Sequence, residues 1–77
     1  MNDSQCRMAR AALQIGVREL AVAAAVSPTT ITRLERGEAL YPRTVAAIRA
    51  ALEKNGVEFI DGDAPGMRLK PKAPAAP

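Results

Sequence analysis

The sequence has no histidine, no tryptophan, one cysteine, one phenylalanine and one tyrosine among its 77 residues. A single cysteine cannot form an internal disulfide, and a chain without histidine lacks the commonest ligand of a transition-metal site. We therefore expect no metal and no cofactor. We also expect no catalytic residue, because no nucleophile–base pair and no phosphate-binding loop is present and the chain is too short to enclose a pocket.

Long apolar runs are absent as well. No segment approaches the roughly 20 apolar residues that span a bilayer, and the first residues carry charge and no apolar run of signal-peptide length. These absences predict a cytoplasmic protein with no membrane partner. The apolar fraction of 48% overstates the core, because alanine supplies much of it. A core of this size is marginal without a staple or a partner.

The positive charge is unevenly placed along the chain. The net charge of +3 comes from residues 1–49, which hold seven arginines and four acidic residues, whereas residues 50–77 hold four basic and four acidic residues. A small, arginine-bearing basic domain favours a polyanionic partner. Solubility alone explains a charge of this size equally well.

Four helices are predicted from apolar spacing and from residues that start and stop helices. They run over about residues 4–15, 17–24, 28–36 and 44–54, and Asp3 or Ser4 caps the first. Pro42 is interpreted as part of the loop before the fourth helix. The fold class is therefore mostly α.

A C-terminal β-hairpin is predicted after the helices. Residues 57–60 and 67–70 alternate like strands on either side of the turn-rich DGDAPG. An isolated hairpin is barely stable in water, so it must pair with another chain or cap its own helical core. We favour the first role, a homodimer contact across a twofold axis. The predicted dimer residues are Val57, Phe59, Met67 and Leu69. The Pro/Ala-rich tail, 71–77, is predicted to be disordered.

The stretch SPTTITRLERGE, residues 27–38, mixes opposing signals. Its run of four β-branched residues favours a strand. Its flanks favour a helix, because Ser27 is a good N-cap, Pro28 suits the first helical position and Gly37 suits the position just past the end. We interpret the stretch as a helix whose weak formers were selected for what they contact.

On such a helix, Thr29, Thr32, Arg33 and Arg36 cluster on the side opposite the apolar residues. Threonine presents a hydroxyl and a methyl close to the helix, and arginine presents a fork of donors. These groups suit base edges, thymine methyls and phosphate oxygens. A merely solvated face is the alternative interpretation. The preceding short helix and its three-residue link favour contact with DNA.

The stretch RELAVAAAVSPTTITRLERGE, residues 18–38, resembles the helix-turn-helix of the phage repressor/Cro-like (XRE) transcription regulators. The shared features are Glu19-Leu20-Ala21, Val26-Ser27, Ile31 and Leu34-Glu35-Arg36-Gly37. The resemblance covers about residues 5–55. It implies a four-helix repressor-like DNA-binding domain over residues 1–56, and the β-hairpin that follows, 57–70, lies outside the core of the resemblance. It also implies that the third helix enters the major groove.

Residue roles follow from this resemblance. It implies base contacts from Ser27, Pro28, Thr29, Thr32 and Arg33. It implies phosphate contacts from Val17, Arg18, Arg36, Arg43 and Thr44. It also implies a partly buried structural ion pair between Arg10 and Glu35.

Three positions depart from the family pattern. Val17 replaces a frequent glutamine, which leaves only the backbone amide and the helix dipole for a phosphate. Ala25 stands where the turn usually has a glycine with positive φ. Pro28 stands where many relatives have a polar base reader, and it cannot donate a hydrogen bond.

The resulting prediction is a nucleoid-associated, sequence-specific transcription regulator, with repression as the simpler mode. A homodimer would read a palindromic operator in double-stranded DNA, with half-sites about 34–36 Å apart. The alternative is a protein-binding antitoxin or anti-activator built on the same scaffold, which Val17 and Pro28 keep open. A regulatory protein partner is possible in either case.

Overall fold

The computed structural model describes residues 1–70, and the predicted disorder of the tail, 71–77, lies outside them. The elements are α1 (Asp3–Leu13), α2 (Val17–Ala24), α3 (Pro28–Glu35), α4 (Pro42–Lys54), β1 (Val57–Ile60) and β2 (Gly66–Leu69). The predicted class, mostly helical with a C-terminal antiparallel hairpin, is confirmed. Within residues 1–70 no helix has the length and the apolar character that crossing a bilayer requires.

The N-cap of α1 is Asn2, which corrects the prediction of Asp3 or Ser4. The Asn2 side chain accepts the Gln5 amide proton at 2.8 Å, and the Gln5 side chain accepts the Asn2 amide proton at 2.9 Å. This reciprocal pair is a capping box, which satisfies two donors at the helix start. Asp3 lies in the first helical turn, where a negative charge suits the helix dipole.

The start of α4 also differs from the prediction. Pro42 is its first helical residue and Tyr41 is its N-cap. Proline fits this position because its missing N–H would have no partner in the first turn, and because its fixed φ suits a helix. Interpreting Pro42 as a loop residue therefore placed the start of the helix two residues late.

The predicted helix over SPTTITRLERGE is confirmed as α3. Ser27 caps it by accepting the Thr30 amide proton at 3.2 Å. The link before it begins at Ala25, which adopts the left-handed conformation with φ of 57°. An alanine costs roughly 1 kcal/mol there. The turn between α2 and α3 thus has the positive φ that the family pattern implied, without the glycine.

All four helices and the hairpin share one core. Most of the apolar residues at helical spacing are buried in it, Leu13 and Val45 are half-buried against it, and β1 supplies two more members. The buried apolar residues are Cys6, Ala9, Leu20, Ala21, Ala24, Ile31, Leu34, Ile48, Ala51, Leu52, Val57 and Phe59.

The hairpin caps the helical core of its own chain. In its register Val57 lies opposite Leu69 and Phe59 opposite Met67, so these four side chains share one face. Val57 is 1% exposed and Phe59 is 9% exposed. This corrects the dimer prediction for those two residues, because side chains buried in their own core cannot meet a partner. Met67 is half-buried against the core, and Leu69 is exposed.

Candidate functional site

The outer face of α3 carries the predicted base-contacting residues. Ser27, Pro28, Thr29 and Arg33 are exposed, and Thr32 is half-buried. The opposite face is anchored, since Ile31 is completely buried and Leu34 nearly so. The buried and exposed faces of this helix are therefore the ones that the sequence pattern predicted.

The hydroxyls on this face differ in whether they already make hydrogen bonds within the protein. The Ser27 hydroxyl caps the helix and also hydrogen-bonds the Thr30 hydroxyl at 2.9 Å. The Thr32 hydroxyl donates to the Pro28 carbonyl at 3.2 Å. The side chain of Thr29 makes no hydrogen bond within residues 1–70. Ser27 is thus committed to structure, whereas Thr29 can both donate to and accept from a ligand.

Arg33 is held by a residue that sequence reasoning missed. Its Nε donates to Glu38 Oε1 at 3.1 Å, and both side chains are about half exposed. The available signal was Gly37, because a glycine just past a helix end turns the chain back toward the last helical turn.

The arginines divide into two groups by their partners. Five have a carboxylate oxygen within 4 Å, and these are Arg7, Arg10, Arg33, Arg49 and Arg68. In the described part of the chain the other three have none, and these are Arg18, Arg36 and Arg43. All three are exposed. They are also the three arginines to which the resemblance assigned phosphate contacts.

The N-terminus of α2 is less open to an anion than expected. Val17 is half-buried and packs against the core. Glu19 lies in the first turn, and its carboxylate accepts the Gly16 amide proton at 3.2 Å. A phosphate approaching the Val17 amide would meet this negative charge. Arg18 is the residue at this end with charge to offer a phosphate.

An open cleft of about 500 Å³ lies beside α3. It is lined by Thr30, Arg33, Ala39, Leu40, Tyr41, Pro42 and Thr44. Tyr41 is 72% exposed, and the Arg43 guanidinium lies 5.3 Å from the centre of its ring. Thr44, a predicted phosphate contact, lies at this cleft, and so does Tyr41, for which the sequence favoured an anchor of the loop over a contact with a sugar–phosphate edge. The cleft offers three hydroxyls, a guanidinium and an aromatic ring, which are groups that suit a sugar–phosphate unit.

Glu35 connects α3 to α1. Arg10 donates to its carboxylate twice, from Nε and from Nη2, both at 2.8 Å. The Cys6 thiol donates to the same carboxylate at 3.4 Å, and Arg7 donates to the Glu35 carbonyl. Arg10 also reaches the Ile15 carbonyl at 3.3 Å. The ion pair that the resemblance implied is thus present, and it fixes the end of α3.

The ionisation of this cluster follows from its contacts. The hydrogen bonds from Arg10 lower the pKa of Glu35, and the same bonds raise the pKa of Arg10. Burial raises the pKa of the Cys6 thiol to about 12, with help from its hydrogen bond to Glu35. A thiol that stays protonated is a poor nucleophile. Cys6, which is completely buried, therefore acts as a small core residue.

No group of acidic or cysteine side chains within residues 1–70 is arranged to hold a metal ion. Comparison of the chain with protein-family models and with curated proteins found no match. The likeness to the XRE regulators therefore depends on the residues quoted above.

Proposed function

We propose that the protein is a sequence-specific DNA-binding transcription regulator. In this proposal α2 and α3 form a helix-turn-helix, and α3 enters the major groove. The observation that carries the proposal is the distribution of arginines without a carboxylate partner. Within residues 1–70 they are Arg18 near the start of α2, Arg36 at the end of α3 and Arg43 near the start of α4.

An unpaired, exposed arginine keeps its charge for a ligand. A guanidinium already paired with a carboxylate must give up that pair before it can neutralise a phosphate. Arg18, Arg36 and Arg43 have no such pair to break among the described residues. Each phosphate that they neutralise would release counterions, which is the main source of sequence-independent affinity for DNA. These three residues are the proposed phosphate contacts.

Sequence reading is assigned to the outer face of α3. Thr29 offers a free hydroxyl and a methyl, and Arg33 offers the donors that suit guanine. Thr32 contributes mainly its methyl and an acceptor, because its proton is committed to the Pro28 carbonyl. Ser27 is the weakest of the proposed readers, because its hydroxyl already serves as the helix cap.

A homodimer belongs to this proposal. One copy presents few base readers, and selectivity in a genome usually requires two copies on neighbouring half-sites. Because Val57 and Phe59 are buried in their own chain, the hairpin can offer only its edges and its remaining apolar side chains. The most exposed of these are Ile60 and Leu69, each 45% exposed.

Binding to DNA should weaken steeply as salt is raised. Three phosphate contacts per chain make six per dimer, so affinity should fall about 10³-fold between 50 and 200 mM salt. A gel-shift series on a duplex selected from a random library measures this fall. Light scattering of the complex should give the mass of two chains per duplex. Salt-independent binding, or no binding to any duplex, would contradict the proposal and favour the protein-binding alternative.

Replacing Arg33 and replacing Arg43 should impair DNA binding in different ways. Arg33→Ala should reduce discrimination between the selected site and unrelated DNA by about 1–3 kcal/mol. Arg43→Ala should weaken both alike and lower the salt slope by about 2, because each dimer loses two phosphate contacts. Fluorescence anisotropy on both duplexes gives the two affinities. Lys54→Ala is the control, because Lys54 is an exposed cation in the last turn of α4 to which no DNA contact is assigned. Equal discrimination by the two variants would refute the assigned roles.

A further inference from the structure

The turn after α3 brings Glu38 back beside Arg33. Gly37 adopts a φ of 85°. Its amide donates to the Leu34 carbonyl at 2.9 Å, and the Glu38 amide donates to the Arg33 carbonyl at 3.1 Å. These two bonds define a Schellman motif, in which the second residue past the helix end lies beside a residue of its last turn. The backbone therefore sets the position of Glu38 relative to Arg33.

The pair at this position is unusual for the motif. The two residues that a Schellman turn brings together commonly make a hydrophobic contact. Here they are Glu38 and Arg33, joined by a bond of 3.1 Å from Arg33 Nε to Glu38 Oε1. An exposed ion pair contributes little to stability. A carboxylate beside a DNA-facing helix also repels phosphates. Neither stability nor general DNA affinity explains the presence of Glu38.

The geometry of the bond leaves the reading edge of Arg33 free. Glu38 takes the Nε proton, and within residues 1–70 Nη1 and Nη2 have no hydrogen-bond partner. The two terminal nitrogens of a guanidinium can donate in parallel to O6 and N7 of guanine. Because Arg33 is held at its Nε, its side chain loses less conformational entropy when it binds a base. The loss of side-chain entropy on binding lowers affinity.

We propose that Glu38 is a positioning residue that orients Arg33 toward a guanine in the major groove. This inference rests on the proposed function and adds the base that is read and the residue that enforces it. Where the site has a guanine, the oriented fork gains two hydrogen bonds. Where it has none, Arg33 cannot turn to a phosphate without leaving Glu38, and the carboxylate repels the backbone.

The test compares Glu38→Gln with the matched variant Glu53→Gln. Glu53 is also an exposed carboxylate that accepts from an arginine Nε, that of Arg49 at 3.4 Å, but it lies near the end of α4. Both variants raise the net charge equally. Binding is measured to the selected duplex and to unrelated DNA, and the ratio of the two affinities is the readout. Glu38→Gln should lower this ratio about tenfold, within the range of one arginine–guanine contact. Glu53→Gln should leave the ratio unchanged.

Two further measurements connect the effect to Arg33 and to guanine. In an Arg33→Ala background, Glu38→Gln should no longer change the ratio. Replacing the contacted guanine by 7-deazaguanine, which lacks the N7 acceptor, should weaken the wild-type protein more than Glu38→Gln. If Glu38 had only a structural role, Glu38→Gln would change the ratio equally with and without Arg33. The 7-deazaguanine substitution would then weaken the wild-type protein and Glu38→Gln equally. Circular dichroism melting confirms that each variant is folded.

The outcomes separate this inference from the proposed function. If the wild-type protein selects no duplex, the proposed function fails, and this inference fails with it before any variant is made. If the wild-type protein selects a duplex and Glu38→Gln keeps the same affinity ratio within twofold, only the role of Glu38 is overturned. An equal loss in Glu53→Gln would also overturn it, because charge alone would then explain the effect.

Discussion

Glu35→Ala should lower the free energy of unfolding by about 3 kcal/mol, because it leaves the Arg10 guanidinium partly buried without its partner. The Glu35 and Arg10 side chains are 10% and 24% exposed, and two bonds of 2.8 Å join them. The substitution also removes the acceptor of the Cys6 thiol. Urea denaturation at pH 7 measures the change. A loss below about 0.5 kcal/mol would refute a structural role for the pair.

A double substitution provides the control for this prediction. Replacing a buried ion pair by apolar residues of similar size often costs little, whereas removing one partner is costly. Arg10→Met together with Glu35→Leu should therefore recover most of the stability that Glu35→Ala loses. If the double variant is as unstable as the single one, the lost packing around Glu35, and not the orphaned charge, explains the effect.

The same pair makes stability depend on pH. Arg10 holds the pKa of Glu35 below its ordinary value, so the contribution of the pair is fully present above the unfolded pKa of about 4.3. It is lost as the pH falls through the lower pKa of the folded state. Glu35→Gln, which cannot ionise, should show a smaller loss of stability on acidification than the wild-type protein.

Gln5→Glu should destabilise the protein by about 3 kcal/mol at pH 7, because it places a negative charge against two carbonyl oxygens in a buried site. Gln5 is 2% exposed. Its Nε2 donates to the Ile60 carbonyl at 3.0 Å and to the Gly66 carbonyl at 2.9 Å. These two residues lie opposite each other at the loop end of the hairpin. Gln5 therefore fastens the hairpin to α1.

Thermal or urea unfolding measures this loss, and hydrogen exchange locates it. Amide protection should fall first in β1 and β2, because the fastening to α1 is lost there. The loss should shrink at low pH, where a protonated carboxyl can again donate one hydrogen bond. Gln14→Glu adds the same charge at an exposed position and should cost less than about 1 kcal/mol. Equal losses at both positions would contradict the fastening role of Gln5.

Helix capping and apolar spacing predicted α2 and α3 well. The same rules explain two features of the structure that were not predicted from them. Ser27, Pro28 and Gly37 bound α3 despite its β-branched run, because capping acts through neighbouring backbone groups. The same rules place Pro42 at the start of α4 and Asn2 with Gln5 in a capping box. Both features were available from the sequence. The predictions differed because Asp3 or Ser4 was taken as the N-cap of α1 and Pro42 was interpreted as a loop residue.

The candidate site was predicted in part. Periodicity put Thr29 and Arg33 on the exposed side of α3, because residues three and four apart share a helix face. Periodicity did not indicate that the Ser27 hydroxyl would be used by the cap, that Glu38 would hold Arg33, or that Tyr41 would line the adjoining cleft. Those features depend on side-chain hydrogen bonds and on loop geometry.

The sequence by itself determined the helices, the hairpin and the exposed face of α3, because caps and apolar periodicity act over a few neighbouring residues. Only the tertiary structure decided what covers the apolar face of the hairpin and which arginines stay unpaired. Val57 and Phe59 could have met a second chain equally well by pattern, but the helices present a core for them to cover. Whether an arginine has a carboxylate partner depends on which acidic residues folding brings near it. Arg10 and Glu35, for example, are 25 positions apart in the sequence and come into contact only in the folded chain.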